Sequence, residues 1–115
     1  MANTFKNAIK SNVTTTGSNY DTLYTAPSSS GNTAIILGLA LANKTTSAVT
    51  VKVQITDTSA SNATIQLLED VSIPANTTLE VLGGQKYVLE AGDKLKVRAG
   101  TGTAIDAFLG VMERT

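Results

Sequence analysis

The sequence predicts an all-β fold, a single antiparallel β-sandwich or jelly-roll-like domain of about seven to nine short strands. Composition is the first reason: Thr, Ser and Asn are abundant, yet 42% of the 115 residues are hydrophobic, which suits half-buried pleated sheets. The second reason is that short apolar segments recur between Ser-, Gly- and Asn-rich stretches, with no helical apolar period. A chain of this length forms one domain.

The first thirty residues predict two strands, at residues 8–14 and 20–25, separated by turn-forming residues at 16–19. We expect residues 1–19 to form an N-terminal arm or a first strand. Residues 20–115 then form the sandwich domain.

Residues 33–43, TAIILGLALAN, predict a strand without any charge. Eleven residues are too few for a membrane span, which needs roughly 20 apolar residues. With a period of two, the larger side chains share a face that we assign to the core: Ile35, Leu37, Leu39 and Leu41. The opposite face is a low surface that the N-terminal arm or a neighbouring subunit could approach closely; it carries Ala34, Ile36, Gly38, Ala40 and Ala42.

The later strands follow from alternation and turn residues. Residues 47–57 alternate apolar and polar side chains, and the short linker before them predicts a hairpin with the preceding strand. Further strands are predicted at residues 63–73, 78–82, 86–89, 94–99 and 104–112. Gly92 and Asp93 predict a tight turn, and therefore a hairpin, between the strands at 86–89 and 94–99.

Charge and side-chain chemistry exclude several functions. Nine basic and nine acidic residues balance, so no field attracts nucleic acid or an anionic membrane, and we expect neither as a partner. The chain has no His and no Cys, which removes imidazole bases, thiolate ligands and the common activated nucleophiles. We expect no enzyme activity, no cofactor and no metal.

The remaining charged residues have structural explanations. Most carboxylates fall at strand ends or turns. Asp106 lies within an apolar strand, where it faces solvent, pairs with a cation such as Lys52 or Arg98, or contacts another subunit. Lys94, Lys96 and Arg98 alternate along one strand, which indicates an exposed face, or an edge strand protected by charge.

A protein interface is the site that the sequence supports best. Two strands are apolar on both faces, and aromatic residues are few. We assign the interface to Phe5, Tyr20, Tyr24, Ile36, Gly38, Ala40, Asp106 and Phe108.

Several short motifs resemble those of small virion structural proteins of tailed bacteriophages, especially phages that infect marine cyanobacteria and related bacteria. They are Tyr24-Thr25-Ala26-Pro27 followed by the strand at 33–43, Val71-Ser72-Ile73-Pro74-Ala75 followed by Leu79-Glu80-Val81, residues 87–97, and the terminal Val111-Met112-Glu113. They span about residues 20 to 115. The resemblance implies a β-sandwich protein of the particle, without catalytic residues, placed on the capsid or in the neck or tail.

The resulting prediction is a capsid decoration or cement protein. It would form a homo-oligomer, a trimer by preference, and bind the major capsid protein or other virion proteins at the capsid surface. The alternatives are a neck or tail adaptor of the virion and, from another class, a carbohydrate-binding module that uses Tyr20 and Tyr24.

Overall fold

The computed structural model describes residues 3–15, 19–58, 61–83 and 85–115. Within them lie nine strands: β1 (Asn3–Lys10), β2 (Asp21–Thr25), β3 (Thr33–Asn43), β4 (Val49–Asp57), β5 (Ala63–Ile73), β6 (Thr78–Glu80), β7 (Tyr87–Glu90), β8 (Lys94–Ala99) and β9 (Ile105–Arg114). Sheet A has the order β1-β9-β3-β6, with β7 also paired to β3, and sheet B has the order β2-β8-β4-β5. Every pairing is antiparallel.

The two sheets form a sandwich with jelly-roll connectivity. Most connections cross from one sheet to the other, and β4 and β5 are the neighbours in sequence that pair directly among the described strands. If β6 and β7 together occupy one strand position beside β3, the chain has the eight strands of a jelly roll. The predicted all-β sandwich is confirmed.

Branched aliphatic side chains from both inner faces fill the space between the sheets. Ile36, Leu39 and Leu109 of sheet A and Val53 and Leu95 of sheet B are fully buried. Burying such side chains is the main favourable contribution to folding. In the described part of the chain, no helix has the length and apolar character needed to cross a membrane.

The hairpin predicted between β3 and β4 is wrong, because these strands lie in different sheets. The buried side chain of Asn43 organises the crossing. Its amide Nδ2 donates hydrogen bonds to the carbonyls of Ser47 (2.8 Å) and Ile73 (2.9 Å), and its Oδ1 accepts from the backbone N–H of Thr45 (2.9 Å). These bonds hold the linker in an arch from one sheet to the other.

The hairpin predicted between β7 and β8 is also wrong, although its turn is present. Gly92 has the expected positive φ of 81°, but β7 pairs with β3 while β8 pairs with β2 and β4. Asp93 is buried at the corner, where Oδ2 accepts from the Glu90 N–H (2.9 Å) and Oδ1 accepts from the Thr58 N–H (3.0 Å). Turn chemistry alone does not distinguish a hairpin from a corner between sheets.

A β-bulge changes the predicted faces of β3. The register against β9 shifts between Ile36 and Gly38, so Leu37 is an extra residue that reverses the alternation. Ala34 and Ile36 point into the core before the bulge, and Leu39 and Leu41 do so after it. The predicted outward positions of Ala34 and Ile36 and the predicted core positions of Ile35 and Leu37 are therefore wrong.

β1 begins and ends earlier than predicted, at Asn3 and Lys10 rather than at residues 8–14. After β1 the chain turns through Asn12, which has a φ of 57°, and the Val13 N–H donates to the Ile105 carbonyl (2.8 Å). Residues 1, 2 and 16–18 of the predicted N-terminal segment lie outside the described residues.

Candidate protein interface

The candidate site is the outer face of sheet A, formed by the side chains that point away from sheet B. Along β9, Ile105, Leu109 and Val111 are buried, so the alternate positions point outward. Residues directly opposite in neighbouring strands share a face, and the register of β9 with β1 and β3 therefore identifies the rest of this surface.

Three adjacent rows of side chains cross the middle of this face. The first row is apolar on four strands and contains Phe5, Met112, Ile35 and Val88. The second row contains Asn7, Gly110 and Gly38. The third row contains Ile9, Phe108, Ala40 and Glu80. The centre of the face thus carries apolar or small residues, among them Gly110, Gly38 and Ala40. Polar side chains such as Asn7 and Glu80 lie towards its margins.

Large hydrophobic side chains are exposed on this face to an unusual degree. The exposed fractions are 73% for Phe5, 73% for Ile9, 63% for Val88, 50% for Phe108 and 42% for Leu37. Among the described residues, Ile65 is the one other large hydrophobic residue with comparable exposure. Scattered apolar residues are normal on a protein surface, whereas a contiguous patch marks an interaction site.

The two central glycines leave a hollow in the face. Gly38 and Gly110 are directly opposite each other, and a Cβ placed on either would meet no atom within 4 Å. The domain's own packing therefore does not require glycine there, although glycine weakens a strand interior. A hollow of about 290 Å³ lies over them, flanked by Leu37 and Phe108. Glycines with this geometry allow the backbone of a partner to approach closely.

Asp106 lies at the margin of the face, but its partners differ from those predicted. Its Oδ1 is 2.8 Å from the ammonium of Lys44 and accepts a hydrogen bond from the Asn12 N–H (3.0 Å). These contacts hold the pKa of Asp106 below its ordinary value, and the bond from Lys44 has the largest effect on it. Lys52 instead pairs with Glu69 and Asp70 beside sheet B, so Asp106 joins the loops that border the apolar face.

The outer face of sheet B has the opposite character. The register of β4 with β8 places four cationic side chains together on it: Lys52, Lys94, Lys96 and Arg98. The predicted basic stripe therefore lies on an outer face, but its side chains are half-buried rather than exposed. β8 also lies between β2 and β4. The stripe therefore does not protect an edge strand, which was the alternative explanation for these residues in the sequence. The molecule has one apolar and one polar exterior.

Tyr24 lies between the sheets rather than on a surface patch. Its hydroxyl donates a 2.5 Å hydrogen bond to Oε2 of Glu113, a buried residue of β9, and the ammonium of Lys6 is 2.9 Å from Oε1. Burial and the nearby carboxylate raise the pKa of Tyr24. The bonds from Tyr24 and Lys6 lower the pKa of Glu113. The cluster links β2 of sheet B to β9 and β1 of sheet A.

The predicted interface residues therefore separate into two groups. Phe5, Gly38, Ala40, Asp106 and Phe108 lie together on the outer face of sheet A. The other three lie elsewhere: Ile36 in the core, Tyr24 between the sheets, and Tyr20 within 3.3 Å of the amide of Gln66 in β5. The prediction missed Ile9, Val88 and Leu37. Ile9 could have been found, because it is four residues from Phe5 and shares its face in a strand.

A group of carboxylates lies at another position, at the mouth of a cleft between the two sheets. Oxygens of Asp57, Glu90 and Asp93 lie within 4.8 Å of one another, an arrangement that hard cations can use. The cleft measures about 620 Å³, and Ile55, Ile65 and Tyr87 line it. Both oxygens of Asp93 already accept backbone N–H groups, so this carboxylate serves the corner between β7 and β8.

No protein-family model matches the chain, and no curated protein matches it significantly in sequence. Solved structures share its fold. A chain of the T13 viral particle of infectious bursal disease virus superposes with a TM-score of 0.56 and 12% identity over 96% of this chain and 30% of that one. A chain of the Gx strain of the same virus superposes with a TM-score of 0.56 and 12% identity, over 96% of this chain and 32% of that one.

A chain from Bacillus endospore appendages, described as disulfide-linked pili, is similar over nearly its whole length. It superposes with a TM-score of 0.52 and 12% identity over 98% of this chain and 88% of that one. The present chain spans less than a third of the viral chain in the T13 particle. At these identities the likeness establishes the fold.

Proposed function

We propose that this protein is a virion structural protein of a tailed phage, which decorates the capsid and stabilises the shell by binding other virion proteins. It acts as a homo-oligomer, with the trimer as the number predicted from sequence, and it performs no catalysis. Its mechanism is mechanical, because apolar surface buried between neighbouring proteins resists their separation.

One observation carries the proposal: the contiguous apolar outer face of sheet A. Phe108 and the hollow at Gly38 and Gly110 lie at its centre, and Phe5 and Ile9 extend it along the edge strand β1. Charged groups such as the Asp106–Lys44 pair stand at its margin. An apolar centre with a polar rim is the anatomy of a protein interface, and the viral-particle chains with the same fold favour a virion as its setting.

Three alternatives are less well supported. A neck or tail adaptor would use the same apolar face, so location in the particle distinguishes it from a decoration protein. A carbohydrate-binding module needs exposed aromatic platforms, but Tyr24 is bonded to Glu113 inside the sandwich. An appendage subunit of the disulfide-linked kind is disfavoured because the chain has no Cys.

The test is to locate the chain in purified particles of a phage whose genome encodes it, by antibody labelling and particle reconstruction. Density on the outer shell supports the proposal. Density at the neck or tail supports the adaptor, and absence of the chain from particles overturns both.

A binding assay assigns the surface. Shells prepared without the chain are mixed with purified protein, and bound protein is measured by sedimentation. We expect Phe108→Lys to weaken binding at least tenfold, on the order of a hot-spot residue. Gly110→Val adds apolar area but fills the hollow, so weaker binding by this variant would show that shape matters as well as hydrophobicity. Lys96→Glu, on the polar exterior, is the control and should bind like the wild type.

A further inference from the structure

β1 forms an open sheet edge that is both long and regular. Its eight residues pair with eight consecutive residues of β9 without a register shift. In the described part of the chain, the other three edges are interrupted. β2 has five residues and a bulge, β5 has two irregularities against β4, and the far edge of sheet A is divided between β6, with three residues, and β7, with four. Short or bulged edges resist pairing with other chains, and β1 has neither protection.

β1 is also largely exposed to solvent. Seven of its eight residues are exposed, and Ala8 is partly buried. Phe5 and Ile9 are each 73% exposed on the outer face. The inward-pointing Lys6 is engaged by Glu113. An open backbone edge that carries two large apolar side chains is a template for another strand.

We propose that the open edge of β1 pairs antiparallel with β1 of a second copy, across a two-fold axis that lies midway between Asn7 and the partner's Asn7. In this register Phe5 is opposite the partner's Ile9, and Asn7 is opposite the partner's Asn7. Lys6 is opposite the partner's Ala8, and Thr4 is opposite the partner's Lys10. The axis is normal to the sheet, so the two outer faces of sheet A join into one wider apolar surface.

The length and the charge pattern of β1 together select this register, since centring on Phe5 or Ile9 would pair at most five of its eight residues. Opposed residues share a face of the sheet, so a two-fold pairing must centre on a residue. Centring on Lys6 would place that ammonium against the partner's Lys6, and centring on Ala8 would place Lys6 against the partner's Lys10. Like charges directly opposite destabilise a sheet, whereas an aromatic side chain opposite a β-branched one stabilises it. Centring on Asn7 avoids both lysine clashes and creates two Phe–Ile pairs. This self-complementarity is the reason for choosing a second copy as the partner.

The contact joins the backbone edges of two β1 strands, so it can be measured with the purified protein in the absence of shells. It is also compatible with a trimer, since a two-fold axis can join two trimers as well as two single chains. The inference therefore predicts a doubling of mass.

A single-cysteine crosslink tests the register, since the chain has no Cys of its own. At Asn7→Cys the two sulfurs face each other across the axis, and Cα atoms of directly opposed antiparallel residues are about 4.5 to 5.5 Å apart, within the range of a disulfide. We expect most of this variant to form a covalent dimer on mild oxidation. Asn3→Cys is the matched control on the same strand and face. Its two copies would be about 26 Å apart and should remain uncrosslinked.

A charge-swap pair tests the same register without a covalent bond. Phe5→Lys and Ile9→Glu should each halve the mass measured by light scattering, because each inserts an unpaired charge opposite an apolar side chain. The double variant places opposite charges against each other across the axis and should restore the wild-type mass. Thermal unfolding should keep Tm within a few degrees in all three, because both positions are largely exposed.

Three results would overturn the inference. The first is a wild-type mass equal to that of Phe5→Lys. The second is equal crosslinking of Asn7→Cys and Asn3→Cys, which would indicate random collision. The third is a double variant whose mass by light scattering equals that of the single variants, which would show that positions 5 and 9 do not face each other. Shell binding by a chain that fails these tests would leave the proposed function intact.

Discussion

At the scale of single residues, buried polar side chains decide how the strands are connected. Asn43 and Asp93 each bond to backbone groups at a crossing between the sheets. A buried polar group must be hydrogen-bonded to avoid a large desolvation cost, so each of these residues stabilises one path of the chain. The short loops around them would otherwise be compatible with hairpins.

The Tyr24–Glu113 bond leads to a prediction about acid stability. The pKa of Glu113 lies below its ordinary value of 4.5 in the folded protein, so its carboxylate stabilises the fold fully above about pH 4.5, and this contribution is lost as pH falls through the lower folded pKa. We expect Glu113→Gln to lose about 1 to 3 kcal/mol at pH 7 and to show a smaller further loss in acid than the wild type. Denaturant unfolding at several pH values measures both effects.

Glu80→Gln is the control for this experiment, because Glu80 is an exposed carboxylate at the margin of sheet A. It should keep the acid sensitivity of the wild type. Parallel pH profiles for the wild type and Glu113→Gln would contradict the role assigned to Glu113.

At the scale of elements, the bulge in β3 determines which side chains enter the core. Leu37 has no partner in the register with β9, whereas Ile36 pairs with Val111 and Gly38 pairs with Gly110. If Leu37 is left out of the strand, the remaining residues of β3 alternate regularly between the core and the outer face. One extra residue is enough to reverse the faces predicted for the first half of the strand.

A pair of deletions tests this account. We expect deletion of Leu37 to preserve the fold and to lower Tm by a few degrees at most, because it removes an exposed residue and restores plain alternation. Deletion of Ala40 is the contrasting control, since it would turn Leu41 and Asn43 out of the core. It should prevent folding or cost several kcal/mol. Circular dichroism and thermal unfolding compare the two, and equal damage by both deletions would contradict the bulge assignment.

At the scale of the whole molecule, the sandwich has two unlike exteriors. Sheet A presents apolar side chains around Gly38 and Gly110, while sheet B presents Lys94, Lys96 and Arg98. The net charge is nevertheless zero. Contact through sheet A should therefore depend on apolar burial rather than on long-range attraction.

Salt dependence distinguishes the two exteriors. If sheet A makes the contact with the shell, binding should change less than about threefold between roughly 0.05 and 0.5 M NaCl, because apolar contacts are hardly screened. Sedimentation of the protein with shells at each salt concentration measures this. A loss of tenfold or more would instead implicate the lysines of sheet B, and Lys96→Glu would then weaken binding at low salt.

The sequence by itself determined the fold class and most strand positions, because alternation and turn residues are local properties. The bounds predicted for residues 33–43, 63–73 and 94–99 match β3, β5 and β8. It also placed Phe5, Gly38, Ala40, Asp106 and Phe108 in the candidate interface, where the structure brings them together on one face.

Only the tertiary structure decided which strands pair and which face each strand buries. The bulge at Leu37, the arch at Asn43 and the burial of Tyr24 against Glu113 depend on residues far apart in the chain. A period of two gives two faces to a strand, but packing against the second sheet chooses the inner one. The same packing leaves Phe5, Ile9 and Val88 exposed beside Phe108, and their union into one surface appears only when β1, β9, β3 and β7 lie side by side.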